Sequence, residues 1–281
     1  MTNKDHTDLS GLCIHTVTTR PWDIEEAAKR YSAAGVKGIS VWRDVLEGRD
    51  IRQTGEMIRD HDLSVVSLCR GGFFASKDHN KRSVAIEDNK RAIEEAALLG
   101  APLIVLVCGT DPTQSLDDSR KQIRDGIAAI LPEATAAAVK LAIEPLHPMY
   151  ADTRSAINTM LQANDMAEGF NSPFVGVAVD VYHVWWDPFL KKEIERCGEK
   201  QNLFAFHICD WKIPTADLLL DRGLMGEGCI PVKQIRSWVE AAGFNGFNEV
   251  EIFSGSYWKE DQADFLRKII TAYKDLSNER I

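Results

Sequence analysis

Short apolar, β-rich runs alternate along this chain with longer stretches whose apolar positions recur with helical period. The runs at 12–17, 38–42, 64–69, 103–108, 140–144, 176–180, 203–208 and 247–252 read as eight strands, and "GVAVD" in the sixth begins like a strand buried on both faces. Between and after them, helical stretches fall near 23–34, 51–60, 83–99, 117–139, 154–167, 188–200, 231–242 and 261–276. The segment "PWDIEEAA" puts acids in a first turn, while "AAGV", "LLGA" and "AAGF" place a glycine just past a last turn. Strands alternating with helices predict parallel pairing through crossover helices, and eight alternations predict a closed (β/α)8 TIM barrel of α/β class. An open doubly wound sheet is the alternative, but no GxGxxG follows the first strand and no Walker A loop is present. With no linker, low-complexity tract or second composition, residues 1–281 read as a single domain.

Composition narrows the function. A length of 281 residues suits such a barrel, which typically takes about 250. The formal charge of −9 argues against a protein that tracks a phosphate backbone, so nucleic acid is not an expected partner. The start "MTNKDHTDLSG" lacks the apolar core of a signal peptide, and no apolar run approaches the roughly 18 residues of a membrane span. A cytoplasmic protein with no membrane partner is expected. Six cysteines without CxxC spacing, four of them in apolar runs, point to reduced thiols rather than a disulfide framework or zinc–thiolate site.

In such a barrel the chemistry gathers where the strands end. Strand five ends "LAIEPLHP", six ends "VAVDVYH", seven runs "FAFHICD" and eight "NEVEIFS", which offers Glu144, Asp180, His207 and Glu251 from four consecutive strands. Three carboxylates and an imidazole make a mainly oxygen donor set, suited to Mn²⁺ first and also to Mg²⁺ or Co²⁺, and poorly to structural zinc. Alanine stands two positions before three of these residues, at Ala142, Ala178 and Ala205, leaving room beneath inward-pointing ligands. Strand eight carries Glu249 there instead, so spacing alone admits Glu249 or Glu251 as the ligand. Glu251, nearer the strand end, is the expected one, with Glu249 a structural acid paired with His15 or a lysine. A single acid at a strand end is more often a helix cap. Four at successive ends are harder to dismiss, since each buried unpaired charge costs several kcal/mol.

His183 follows Asp180 by three residues, as His147 follows Glu144, and residues three apart on a strand face opposite ways. Both histidines reach the mouth only if the chain leaves the strand early, by about Val181 in one case and at Pro145 in the other. Trp185 and Trp186, with Trp42 and Trp211, would supply an aromatic wall for a sugar ring, or pack the barrel against its helices. Arg43, Arg70 and Lys212 follow strands two, three and seven and suit substrate hydroxyls, carboxylate or phosphate; for each alone a surface ion pair is the plainer account. Gly71-Gly72 and "GEG" at 226–228 fit close ligand approach or ordinary turns equally well.

These residues together resemble the xylose isomerase-like TIM-barrel superfamily, the sugar phosphate isomerase/epimerase family. The resemblance spans nearly the whole chain and is strongest from Lys140 to Ser254, carried by "AIEP", "DVYH", "FHICD" and "EVEIFS". It implies a divalent metal on Glu144, Asp180, His207 and Glu251, with the histidine of D-x-x-H, His183, on substrate. It further implies that Glu144 and Glu251 move a proton at the carbon beside a carbonyl through an enediolate, giving a sugar or keto-sugar isomerase or epimerase. His147, Trp185, Trp42, Arg70 and Lys212 are the further expected substrate contacts. Were the enediolate to expel a β-hydroxyl or glycosidic oxygen, the same groups would make a dehydratase or lyase acting on a keto-inositol, dehydro-acid or 3-keto-glycoside. A barrel that only binds a ligand is the remaining alternative, and a homo-oligomer is open because relatives are often dimers or tetramers. Where some relatives carry an arginine shortly after the strand-seven histidine, this chain reads "DWKIP". The extra histidines of the apurinic endonucleases are missing, which argues against DNA repair.

Overall fold

In the computed structural model, which describes residues 8–278, eight parallel strands close into a barrel. In chain order they are Leu12–His15, Gly38–Trp42, Ser64–Gly72, Leu103–Val107, Lys140–Ile143, Val175–Asp180, Leu203–Ile208 and Asn248–Val250. Each pairs with its neighbour in sequence, and the last pairs with the first. A helix between consecutive strands returns the chain to the same end of the sheet, so neighbours run parallel. The eight long helices are Ile24–Ala33, Ile51–Asp60, His79–Leu99, Leu116–Ala136, Met160–Phe170, Leu190–Glu199, Val232–Ala241 and Gln262–Asn278.

Each helix turns one stripe inward. The first buries Ile24, Ala27, Ala28 and Tyr31, at spacings of three, four and seven, and Asp23 caps it by accepting from the Glu26 N–H. The third ends on Gly100 at φ 84°, a left-handed backbone that glycine adopts without steric cost. Between strands and helices lies the main core, with Ile14, Ile39, Leu68, Leu141, Val177 and Phe206 all buried. Each such side chain contributes about 1.5–3 kcal/mol by leaving water. A smaller apolar group holds Cys69, Leu103, Val105, Ala142, Ala178 and Ala205, so the three alanines of the register argument share one environment. Among the described residues no helix is long and apolar enough to cross a membrane. All six cysteines are free thiols, and five are buried.

Three departures from the simple alternation shape the barrel mouth. The sixth strand stops at Asp180 and a single helical turn, Val181–Val184, begins at once, as the spacing of Asp180 and His183 demands. The third strand runs three residues beyond the expected end at 69, through a bulge: its partners pass from Cys69↔Val105 to Gly71↔Leu106, leaving Arg70 as the extra residue. The helix expected from residue 154 begins only at Met160. Residues 154–158 are held irregular by neighbouring loops, because the Gly109 N–H donates to the Arg154 carbonyl and the Leu146 N–H to that of Ile157. The Asn158 amide donates to the carbonyls of Leu146 and Ser155, and Thr159 then caps the helix.

Candidate active site

Four strand ends bring their polar residues together as the sequence predicts. One ligand atom each from Glu144, Asp180, His207 and Glu251 lies within 4.8 Å of the others, and all four residues are buried. His207 is level with Asp180 on one side and Glu249 on the other in the strand register. Its Nδ1 stands 3.1 Å from Glu144 Oε1, yet neither atom has a well-formed hydrogen bond, and Nε2 has none either. Buried polar atoms left without partners are costly. Here two of them, Glu144 Oε1 and His207 Nδ1, face each other within a donor set suited to a hard divalent cation, so these residues fit such a metal.

Beneath the four lies a network organised by Glu249. Its Oε2 accepts from Ser40 Oγ at 2.6 Å and Ser67 Oγ at 3.2 Å, and it stands 3.1 Å from His15 Nε2. His15 Nδ1 reaches Glu251 Oε1 at 3.2 Å, so the imidazole bridges the two glutamates of strand eight. Burial alone would lower the His15 pKa, but Glu251 and Glu249 outweigh it and lift it to about 9. For His207 burial again lowers and Glu249 and Glu144 raise, with a result of about 10. Asp180 moves the other way for a carboxyl: burial, only partly offset by Arg222, carries it up to about 7. Glu251, despite burial, is held well below the usual carboxylate range by His15 and Arg222.

Arg222 is one residue that sequence reasoning missed. It is buried, and its NH1 donates to Glu251 Oε2 at 2.8 Å and to Asp180 Oδ2 at 3.1 Å, while the guanidinium lies 4.3 Å from the centre of the Tyr182 ring. The chain delivers it after an excursion, by pairing Arg222–Gly223 antiparallel with Asp210–Trp211. Asp210 fixes the return: its carboxylate accepts from the N–H groups of Gly226, Gly228 and Ile230. The "GEG" segment is therefore a turn braced by a carboxylate. The usable signal was "DRGLMGEG" after "FHICD".

The other expected contacts divide. His183, Trp42 and Arg70 line a cavity with Glu144, Glu251 and Arg222. Burial and Arg222 hold the His183 pKa well below its ordinary value. Its Nε2 is 3.3 Å from Arg222 NH2, which can only donate, so the ring proton belongs on Nδ1, an atom without a partner. His147, Trp185 and Lys212 do not line that cavity. His147 and Trp185 pack around Trp211, with ring centres 5.3 and 5.9 Å away, because Trp211 stacks on Tyr182 and draws the aromatic residues into one group. Trp186 donates its Nε1–H to the His183 carbonyl and meets His147 edge-on. Lys212 pairs with Asp221 at 3.4 Å, and Arg43 is fully engaged by Asp88 and Glu95, the plainer account for both.

Comparison with known proteins finds relatives that share the barrel fold. A family model described as the xylose isomerase-like TIM barrel matches residues 28–269. The chain is 22% identical over 258 residues to the inosose isomerase of Bacillus velezensis, covering 88% of this chain and 90% of that one. Among solved structures, protein SMc04130 from Sinorhizobium meliloti 1021 is 45% identical and superposes with a TM-score of 0.92, over 96% of this chain and 99% of the other. The IOLI protein with a binding zinc atom is 21% identical, with a TM-score of 0.83 over 95% and 97% of the two chains.

Proposed function

Because the chain belongs to the xylose isomerase-like TIM-barrel family, we propose that it is a divalent-metal-dependent isomerase or epimerase of a sugar or keto-sugar. The observation that carries this reading is the convergence of Glu144, Asp180, His207 and Glu251 within 4.8 Å, with buried donor atoms left unpartnered. The similarity to inosose isomerase supports a polyhydroxylated ketone as the substrate class. The four residues would hold the metal, Mn²⁺ first, with Mg²⁺ or Co²⁺ also suited. When bound, such an ion acidifies the C–H beside a carbonyl by withdrawing electron density from the oxygen.

The protein's own groups do the rest. Glu251, oriented by its contacts with His15 and Arg222, is the carboxylate positioned to take the proton. Glu144 Oε1, with no donor fixed on it, is free to hold the proton on the opposing side and return it. His183 presents a neutral Nδ1–H to a substrate hydroxyl. Trp42 meets Phe253 edge-on, and both border the cavity, giving an apolar face for the carbon skeleton.

The test is solvent-deuterium incorporation beside the carbonyl of keto-inositols and ketohexoses. Glu144→Gln and Glu251→Gln each lower it on the order of 10³-fold, and removal of the metal by a chelator abolishes it until a divalent ion is restored. Full incorporation in both variants sinks the mechanism.

A further inference from the structure

We propose that the substrate of this site carries an anionic group, carboxylate or phosphate, at the end away from the acid cluster, held by Arg70 and Arg154; this rests on the isomerase reading of Glu144 and Glu251. Both arginines line the cavity that contains those glutamates. Among the described residues no carboxylate lies within ion-pair distance of either guanidinium. Arg70 NH1 is buried with no hydrogen-bond partner, and the group rests against the Phe73 ring at 4.3 Å. Arg154 rests against the Tyr150 ring at 5.5 Å. Neighbouring arginines elsewhere are neutralised: Arg43 by Asp88 and Glu95, and Arg222 by Asp180 and Glu251.

The backbone has been shaped to put this charge here. Arg70 is the extra residue of the bulge in the third strand, a device that re-aims a side chain. The bulge is locked from behind, since the Asn89 side chain accepts from the Gly72 N–H and donates to the Gly72 carbonyl. Gly72 sits at φ 110° where a Cβ would meet the Val107 carbonyl oxygen, and a Cβ on Gly71 would meet Asn89 Oδ1 at 2.5 Å. Arg154 reaches the mouth because residues 154–158 stay out of the helix. Burial, reinforced by Arg154, lowers the Arg70 pKa, the cost of holding two like charges together in a half-buried site. In a chain with 42 acidic and 33 basic residues, a surplus of positive charge at this one place is repaid by an anion. Arg70 also borders the groove of about 800 Å³ that opens outward past Gly71, Phe73 and Lys81, so the anionic end points toward solvent.

Equilibrium binding of D-glucitol, D-gluconate and D-glucitol 6-phosphate to the full chain, purified without chelator, tests this. At least one charged polyol binds tenfold or more tightly than glucitol, and which one does so separates carboxylate from phosphate. Arg70→Gln and Arg154→Gln each bring the preference to within about twofold, whereas Arg43→Gln leaves it intact. Should Arg70→Gln not fold, Arg154→Gln and Arg70→Lys carry the test, the lysine retaining part of the preference. Equal binding of the three polyols, no binding of any, or a preference that survives both glutamine variants overturns the proposal. Deuterium exchange on a neutral keto-inositol without charge preference sinks this inference alone; charge preference without exchange on any substrate sinks the isomerase reading alone.

Discussion

His207 holds a proton in the metal-free protein on an atom that a cation needs, for three carboxylates raise its pKa to about 10 against the effect of burial, and Asp180 at about 7 is partly protonated near neutrality. Metal binding therefore displaces protons, and affinity rises with pH. Between pH 6 and 8 apparent affinity increases about tenfold or more per pH unit, and calorimetry in buffers of different ionisation enthalpy finds about one or more protons released per metal. A pH-independent affinity would contradict the protonation assigned to His207. The placements foreseen in the sequence were those fixed by strand register: Glu144, Asp180, His207 and Glu251 brought together, the alanines beneath three of them, and Glu249 paired with His15. Arg222 and Arg154 escaped because neither position follows from periodicity. One depends on a ribbon closed fourteen residues after the seventh strand (222 − 208 = 14), the other on hydrogen bonds that hold a segment out of a helix.

Among elements, the second and third helices come into close contact. A Cβ on Gly55 would lie 2.2 Å from the Leu99 carbonyl oxygen, which is backbone and cannot swing aside. Alanine in mid-helix ordinarily gains about 0.5–1 kcal/mol over glycine, but forcing these helices apart costs about 1–3 kcal/mol. Gly55→Ala is therefore net destabilising, by about 0.5–2 kcal/mol in urea denaturation; a stabilised variant would show that the helices separate freely. Such contacts are invisible in one sequence, whereas the elements themselves were legible: the second and seventh strands and the second helix have their expected bounds. Several errors fell at ends governed by side-chain caps and bulges, as at Asp78, Thr159 and Arg70. There a single hydrogen bond outweighs several residues of helical pattern.

For the whole molecule, the main question is how anything enters. The cavity at the acid cluster measures only about 30 Å³, room for about two waters. Leu219 borders it from the excursion between Trp211 and Arg222, and the Tyr150 and Tyr182 hydroxyls both donate to the Leu218 carbonyl, at 2.7 and 2.9 Å. These two hydrogen bonds hold the segment down, at about 1 kcal/mol each. Tyr150→Phe combined with Tyr182→Phe lowers hydrogen-exchange protection across residues 213–221 by about tenfold or more, with the melting temperature little changed; unaltered protection would show that the segment is held by other contacts. On the proposed function a sugar, far larger than this cavity, enters by widening it, and we expect Leu218 to part from the tyrosines once on the way in and once on the way out. That sets a ceiling on turnover separate from proton transfer. Where this gate sets the pace, kcat falls in step with added solvent viscosity, and a deuterium at the reacting carbon leaves kcat unchanged.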